Sequence, residues 1–313
     1  MDILRYTGEK KGEWDAFVSE AKNSLFMFKR DYMEYHSDRF TDHSLMFYEE
    51  DKLMALLPAD VSGDVLCSHG GLTYGGFLLK NDAKQHTVND CMTALKEHMK
   101  EEGLKKLVYK CIPHVYHLQP AEEDEYALFA NGARLTAMGA STVLDLKAPI
   151  KMPKGRKAQI SRAKREGVVI ERRTDKESFE EFIGLENEVL TARHNVKAVH
   201  TADELYLLYS RFPENIALYA AVKDEHIIAG CVCYLYKETV HVQYMAADEE
   251  ARRIGALDLA VATVMETYAA DHKWLDFGIS TEDGGSFLNE GLISQKEGFG
   301  GRTNVYRIWE LLV

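Results

Sequence analysis

A glycine cluster close to the C-terminal end carries the residues with the clearest chemical potential. Lys296 lies two residues before the stretch 298–301, which reads Gly-Phe-Gly-Gly and follows a buried-strand pattern at Trp274–Ile279. Glycine tolerates positive φ and lacks a Cβ, so main chain in such a cluster can approach a bound group closely. A tight connection between two strands is the structural alternative. We expect Lys296 to be catalytic and Phe299 and Gly300 to contact substrate.

A second candidate is a basic interval between residues 151 and 173. On a helix, Ile160, Ala163 and Gly167 share one face, which leaves Arg162 beside it. An exposed charged face is the ordinary explanation, but the positive sign is unexpected in a chain of net charge −12. Guanidinium groups bind phosphate in bidentate fashion. We expect Arg156 and Arg162 to bind an anionic part of a substrate. The basic residues of this interval are Lys151, Lys154, Arg156, Lys157, Arg162, Lys164, Arg165, Arg172 and Arg173.

The loop Ser68–Gly76 brackets Thr73 and Tyr74 between two glycine pairs. Such a loop could present backbone N–H groups and the Tyr74 hydroxyl to a ligand. A strained turn at the end of an edge strand would give the same sequence. We expect Thr73 and Tyr74 to bind substrate, with the tyrosine hydroxyl exposed.

Composition restricts the classes of function. The 313 residues are 46% hydrophobic and 28% charged, enough for two globular domains of about 150 residues each. The net charge of −12 argues against DNA binding, because an acidic surface repels phosphates. No apolar run is long enough for a membrane span and the N-terminal residues lack a secretory pattern, so a cytoplasmic location is predicted. Five cysteines favour reduced thiols, and the histidines show no metal-ligand spacing.

The two halves of the chain repeat one order of patterns. Each half has a strand, a charged turn, a strand, a further strand region, an amphipathic helix and another strand, and each ends with a glycine turn and a long hydrophobic strand. Meandering strands predict antiparallel pairing, and the intervening helix predicts one parallel crossover. We therefore predict an α/β fold with mixed sheets, duplicated in tandem. The predicted domains are 1–148 and 149–313, joined by the polar link Leu146–Gly155.

Several of these motifs resemble one family. The sequence Asp-Phe-Gly at 276–278, the Lys-x-Gly-Phe-Gly-Gly motif at 296–301 and the Arg-Lys-x-x-Ile-x-Arg-Ala-x-x-x-Gly-Val motif at 156–168 are similar to motifs of Fem-type aminoacyltransferases of the GNAT superfamily. The resemblance implies two GNAT-like units, each with the acyl-CoA N-acyltransferase fold. It also implies that Lys296 acts at the aminoacyl end of the donor.

The resemblance further suggests where a donor would bind. GNAT proteins hold acyl-CoA pyrophosphate on Arg/Gln-x-x-Gly-x-Gly/Ala, and the nearest match places Arg252, Arg253 and Gly255 at that motif, with Leu257 departing from it. Backbone N–H groups at the following helix start would face an anion. No permanently bound cofactor is expected. The donor is expected to be acyl-CoA or aminoacyl-tRNA, with the acceptor end of tRNA as a partner in the second case.

The implied chemistry is attack by an amine on an activated carbonyl. If the attacking amine is a lysine side chain of the acceptor, it is uncharged only in about one molecule in a few thousand at pH 7, so another group must help to remove its proton. Tyr244, Asp276, Glu282 or a water chain could accept that proton, and the sequence does not choose among them. We expect transfer of an aminoacyl or acyl group to an amine of a small molecule or a cell-envelope precursor. Acetyl-CoA-dependent N-acetylation and a non-catalytic binding protein are the alternatives.

Overall fold

A computed structural model of the chain describes residues 1–194 and 196–313. The strands are β1 Asp2–Arg5, β2 Thr41–Asp42, β3 Leu45–Glu49, β4 Lys52–Leu57, β5 Asp60–Ser62, β6 Val65–Cys67, β7 Leu78–Leu79, β8 Lys106–Lys110, β9 Arg134–Asp145, β10 Val169–Arg173, β11 Ile216–Lys223, β12 His226–Leu235, β13 Thr239–Ala247, β14 Trp274–Ile279, β15 Thr281–Glu282, β16 Phe287–Leu288 and β17 Arg302–Leu312. The helices are α1 Lys11–Glu20, α2 Arg30–Met33, α3 Gln85–Glu101, α4 Glu123–Ala130, α5 Lys154–Arg165, α6 Lys176–His194, α7 Ala202–Arg211, α8 Glu249–Ile254, α9 Ala256–Tyr268 and α10 Glu290–Glu297.

The predicted charged turns connect antiparallel strands in both halves. β3 pairs with β4 across a turn in which Glu50 has a φ of 53°, and β11 pairs with β12 across Asp224 and Glu225, at 50° and 69°. Polar residues tolerate this left-handed region better than β-branched ones, which is why the turns interrupt the apolar runs there. The sequence prediction of these hairpins is confirmed.

A parallel crossover is present in each half, as predicted. The chain passes from β13 through α9 into β14, and β13 pairs with β14 in parallel. In the first half it passes from β6 through α3 into β8, and β6 pairs with β8 in parallel. A helix between parallel strands covers one face of the sheet and supplies the apolar side chains that bury it.

The chain divides into two compact units that interleave along the sequence. Unit 1 contains Met1–Ala140, Thr281–Leu288 and Val305–Val313, and unit 2 contains Ser141–Ser280 and Asn289–Asn304. Within unit 1, β8 pairs with the C-terminal part of β17, and within unit 2, β14 pairs with the end of β9. A single boundary at residue 148 would therefore assign β17 to the second domain, although part of it pairs in unit 1, and β9 to the first domain, although its end pairs in unit 2. The duplication boundary at 148/149 stays a prediction.

Helices cover both faces of the unit 2 sheet, whose strands run in the order β10-β11-β12-β13-β14-β9. Cys231 and Cys233 of β12 belong to a core shared with α9, so this side is called the α9 face. Gly230 points the other way, because a Cβ placed there would lie 3.1 Å from the ring of Phe182 on α6. The side that α6 covers is called the α6 face. Both cysteines are buried free thiols, as the sequence indicates.

Candidate active site

The strands β13 and β14 separate partway along their length. Their parallel pairing runs from Thr239 and Trp274 to His241 and Asp276, although β13 continues to Ala247 and β14 to Ile279. Gly278 has a φ of +71°, which only glycine adopts readily and which turns β14 away at this point. The resulting divergence of the two strands is called the split, and beyond it the main-chain groups of β13 and β14 no longer bond to each other. Ligands of open α/β sheets often bind where neighbouring strands diverge in this way.

Lys296 reaches the β14 side of the split from helix α10. Asn289 caps this helix by accepting a hydrogen bond from the backbone N–H of Leu292, which fixes where the helix starts. The Lys296 ammonium donates to the carbonyl oxygens of Gly278 and Ile279, at 2.9 and 2.8 Å. The residue is 3% exposed, and burial lowers the pKa of Lys296 to about 8, while the negative charge of Asp276 acts in the opposite direction. A cation is thus held where the strands part.

Asp276 is fully buried beside this lysine. Its Oδ1 accepts hydrogen bonds from the hydroxyl of Ser141 and from the backbone N–H of Gly278, the latter at 2.8 Å. The Nδ1 atom of His241 lies 3.9 Å from the other carboxylate oxygen. These contacts fix the carboxylate and bend β14 around it, so Asp276 is placed to orient its neighbours and to favour the charged form of Lys296.

Tyr244 lies on β13, beyond the point where the strands part. A β-bulge at Gln243 shifts the register, and Tyr244 then pairs with Val232. The Tyr244 hydroxyl lies 2.6 Å from Nδ1 of His200 and accepts a hydrogen bond from the His200 backbone N–H at 3.2 Å. Tyr244 is buried, and its hydroxyl is linked to an imidazole that can exchange protons. The third proton-transfer candidate, Glu282, is exposed on β15 of unit 1.

The glycine cluster is packed against other parts of unit 2, which differs from the expected approach to a ligand. Gly300 has a φ of +102°, and a Cβ there would lie 2.5 Å from the carbonyl oxygen of Ile150. Phe299 is 2% exposed in the core of the α9 face, with its ring 5.5 Å from that of Phe277. The expectation that Phe299 presents its ring to substrate is therefore wrong for this conformation. The glycines allow close packing that holds α10, and with it Lys296, in place.

Arg156 also has a structural position. Its guanidinium forms an ion pair with Asp258, donates to the Gln295 carbonyl oxygen at 2.8 Å and stacks 4.2 Å from the centre of the Phe299 ring. The side chain is 16% exposed, and these contacts occupy the fork that an anion would need. The expectation that Arg156 binds substrate is corrected on this ground. Arg162 is half-buried on α5 and remains a candidate, with Lys157, Lys164 and Arg165 exposed on the same helix.

The predicted pyrophosphate motif connects α8 to α9. Gly255 has a φ of +84°, and a Cβ there would lie 2.7 Å from the carbonyl oxygen of Gln159 on α5. Arg252 donates to the Ala247 carbonyl oxygen at 2.7 Å, and Arg253 is exposed. The first turn of α9 also carries the carboxylate of Asp258. This carboxylate forms the ion pair with Arg156, so the first turn of α9 is tied to α5. Cofactor binding by Arg252, Arg253 and Gly255 stays a prediction.

The Ser68–Gly76 loop of unit 1 differs from the expectation for Tyr74. The Tyr74 side chain is 1% exposed, and its hydroxyl lies 2.7 Å from the hydroxyls of both Tyr116 and Tyr306. A Cβ at Gly76 would lie 2.6 Å from the hydroxyl of Tyr109, so this glycine is required by packing. Tyr74 is an internal hydrogen-bonding residue and not an exposed one. Thr73 is exposed.

Three buried residues of unit 2 were not selected by sequence reasoning. Ser141 and His241 carry no distinctive motif, and only the pairing of β14 with its neighbours brings them to Asp276. Glu186 could have been found, because it continues the buried stripe of α6 that includes Phe179, Phe182 and Ile183. An acidic residue at an apolar position of a helical repeat is a signal that the sequence shows directly.

Two further searches give negative results. Across residues 1–194 and 196–313, no cluster of three or more His, Cys, Asp or Glu side chains could hold a metal ion. In the same part of the chain, no helix combines the length and apolar character that crossing a bilayer requires.

Comparison with known proteins identifies the domain that contains the split. Residues 154–283 match the family model described as an acetyltransferase (GNAT) domain. No curated protein matches the chain. The part of the sequence that resembles a GNAT domain thus includes Tyr244 and Asp276.

Solved structures share the fold along nearly the whole chain. FemX is similar at a TM-score of 0.68 and 12% identity, covering 98% of this chain and 97% of that one. The C-terminal domain of a putative lysylphosphatidylglycerol synthetase from Agrobacterium fabrum gives 0.64 and 14%, covering 96% and 91%. A tandem GNAT protein from the clavulanic acid biosynthesis pathway gives 0.55 and 12%, covering 99% and 98%. The predicted tandem GNAT-like fold and the resemblance to Fem-type acyltransferases are confirmed.

Proposed function

We propose that this protein transfers an aminoacyl or acyl group from an activated carbonyl donor to an amine, with the reaction in the split of unit 2. The observation that carries the proposal is the buried ammonium group of Lys296 at the point where β13 and β14 diverge. A cation in a buried position stabilises the negative charge that develops on a carbonyl oxygen during acyl transfer.

Lys296 supplies this charge at neutral pH. With a pKa of about 8, about nine-tenths of the side chain is protonated at pH 7. An ammonium group has three N–H bonds, and the carbonyl oxygens of Gly278 and Ile279 accept two of them. The third is available to an oxyanion. Asp276 has a positioning role in this scheme, since it is held by Ser141 and favours the cationic form of the lysine.

The amine completes the reaction from the β13 side of the split. Its nitrogen attacks the carbonyl carbon as a C–N bond forms, and the bond from that carbon to the leaving oxygen or sulfur breaks. One proton of the amine passes to the Tyr244–His200 pair, and the leaving group is released as an alcohol or a thiol when it takes a proton. Tyr244 suits this relay because its hydroxyl is 2.6 Å from the His200 Nδ1 atom.

Aminoacyl-tRNA is the donor that the surroundings favour. The pyrophosphate motif departs from the GNAT pattern at Leu257, and the first turn of α9 is occupied by the Asp258–Arg156 ion pair. The basic residues of α5, including Arg162 and Lys157, offer a separate surface for a phosphate backbone. The similarity in fold to FemX and to a putative lysylphosphatidylglycerol synthetase domain supports an aminoacyl donor. The acceptor is then an amine on a small molecule or a cell-envelope precursor.

The test compares two donor classes. Radiolabelled aminoacyl-tRNA and acetyl-CoA are each incubated with the protein and a panel of primary amines, and the amide product is counted. Transfer from either donor supports the proposal, and Lys296→Met should then lower the rate about 100- to 1000-fold. Lys273→Met, which removes an exposed lysine of the same unit, should leave the rate unchanged.

Acetyl-CoA-dependent N-acetylation is the second candidate, favoured by the description of the matching domain and by the arginine-glycine motif at residues 252–255. Under this alternative, CoA alone raises the melting temperature and Arg252→Gln abolishes the shift. Absence of transfer from both donor classes across the amine panel would contradict the proposed function and favour a binding protein.

A further inference from the structure

Glu186 occupies a position that the helix otherwise gives to apolar side chains. On α6, Phe179, Phe182 and Ile183 are 0–3% exposed, and Glu186 follows them at helical spacing with 6% exposure. Residues at these spacings form one face of a helix, so the carboxyl group of Glu186 faces inward with them.

One oxygen of this carboxyl group has no hydrogen-bond partner among the described residues. Its Oε2 atom is buried without a hydrogen-bond partner. Other buried carboxyl groups of the chain have partners: Asp276 accepts from Ser141 and Gly278, and Asp258 pairs with Arg156. Desolvation alone raises the pKa of Glu186 to about 7. A carboxyl group in this position costs folding free energy, which a bound cation would offset.

The location of α6 places this carboxyl on the side of the sheet that carries Tyr244. Phe182, one helical turn before Glu186, packs over Gly230 of β12. Gly230 and Val232 point to the same face, and Tyr244 is paired with Val232. Glu186 also acts electrostatically on Cys231, the residue between them. The carboxyl group therefore lies over the middle of β12, on the α6 face.

Lys296 is anchored on the opposite face. The turn that follows it is fixed by Phe299, which is part of the core on the α9 face. A carbonyl carbon lying in the split would thus have the Lys296 ammonium group at the main chain of β14 and, on the α6 face, a buried carboxyl group and a tyrosine hydroxyl. A charged amine is the chemical group that matches such a face.

We propose that Glu186 is the binding site for the primary ammonium group of a substrate, on the α6 face of unit 2. The inference deepens the proposed function, on which it rests for the reaction but not for the binding. The bound group is the amino group of the acceptor or the free α-amino group of an aminoacyl donor, since both present the same chemistry. An alcohol or a thiol of the same size would leave the carboxylate without a counter-charge and binds more weakly.

The first experiment measures binding without any donor. Melting temperatures of the wild-type protein are recorded with increasing n-pentylammonium chloride, with 1-pentanol and with alanine methyl ester. We expect stabilisation by one or both amines and none by the alcohol. Glu186→Gln should lose the shift, whereas Glu188→Gln, an exposed glutamate on the same helix, should keep it. The amine whose shift is lost identifies the source of the ammonium group.

The second measurement separates a binding role from a structural one. Glu186→Leu extends the apolar stripe of α6 and should raise the melting temperature of the unliganded protein by roughly 2–4 °C, while amine binding is lost. If the carboxyl group instead stabilised the fold, Glu186→Leu would lower the melting temperature of the unliganded protein. In kinetic assays Glu186→Gln should raise the KM for the amine by roughly 10- to 100-fold and change kcat less.

Two results would overturn the inference. One is an equal amine-induced shift in wild type and Glu186→Gln, and the other is the absence of any amine-induced shift in wild type. Either result leaves the proposed function untouched if Lys296→Met abolishes transfer. If no transfer activity is found with either donor but amine binding is intact and depends on Glu186, the proposed function is rejected and the binding site is retained.

Discussion

Replacing Asp276 with asparagine should lower the pKa of Lys296 while leaving the size of the side chain at position 276 almost unchanged. Burial lowers the pKa of this lysine to about 8, and the charge of Asp276 is what opposes a further decrease. Asparagine can still accept hydrogen bonds from Ser141 and the Gly278 backbone N–H through its carbonyl oxygen, so the local geometry is retained. The perturbation is therefore mainly one of charge.

The size of the effect follows from the proximity of the two groups. An opposite charge within a few ångströms raises a lysine pKa by roughly 1 to 3 units, so even the smallest of these shifts would bring the pKa of Lys296 in the variant down to about 7. At pH 8 the protonated fraction of Lys296 then falls from about one half to about one tenth, and at pH 6 it stays above about nine-tenths. Because the protonated lysine is the active form, transfer should fall about fivefold at pH 8 and hardly change at pH 6.

Two assays measure this shift. In protein labelled with ¹³C-lysine, the ε-carbon resonance that disappears in Lys296→Met reports the titration directly and needs no substrate. The pH profile of kcat/KM reports the same pKa as its falling limb. Ser141→Ala, which removes a hydrogen bond to Asp276 but no charge, is the matched control. An unchanged Lys296 titration in Asp276→Asn, or a loss of activity equal at pH 6 and pH 8, would refute the electrostatic role of Asp276.

Three further predictions concern packing. Gly255→Ala should lower the free energy of unfolding, because φ is +84° and the new Cβ would meet a carbonyl oxygen. Gly184→Ala, within α6, has open space around the new Cβ and should raise the free energy of unfolding by roughly 0.5–1 kcal/mol. Urea denaturation measures both changes. Tyr74→Phe should cost about 1–2 kcal/mol by the same measurement, since the hydroxyls of Tyr116 and Tyr306 each lose a hydrogen bond to Tyr74, and an unchanged midpoint would contradict this assignment. Arg156→Gln should cost about 2–3 kcal/mol because Asp258 loses its ion pair, while Arg162→Gln should leave stability unchanged; equal effects would argue against a structural Arg156.

Local patterns were sufficient to predict much of the fold. The charged turns between β3 and β4 and between β11 and β12, and the helices at α3 and α9, follow from short-range periodicity and from residues that tolerate a left-handed backbone. The repeat of these patterns predicted duplication. The interleaving of the units could not be predicted this way, because which strand completes a sheet depends on long-range pairing, as when β17 joins β8.

The residues of the candidate site could likewise be predicted only in part from the sequence. Lys296 was selected from its neighbours in sequence, and the structure places it at the split. Phe299, Gly300 and Tyr74 were selected on the same kind of signal but are buried by the chain's own packing. A glycine or aromatic motif indicates close approach, and only coordinates show whether the approaching group belongs to the protein or to a ligand.

The sequence by itself determined the types of element, their order, the duplication and the chemical identity of the lysine. The tertiary structure decided which side chains surround that lysine: Ser141, His241 and Asp276 come from three strands and meet only when those strands pair. It also decided that Glu186 is buried with one carboxyl oxygen that has no hydrogen-bond partner among the described residues. The physical reason is that hydrogen bonding within an element depends on neighbours along the chain. Desolvation and charge interactions depend instead on groups that folding brings together from distant positions.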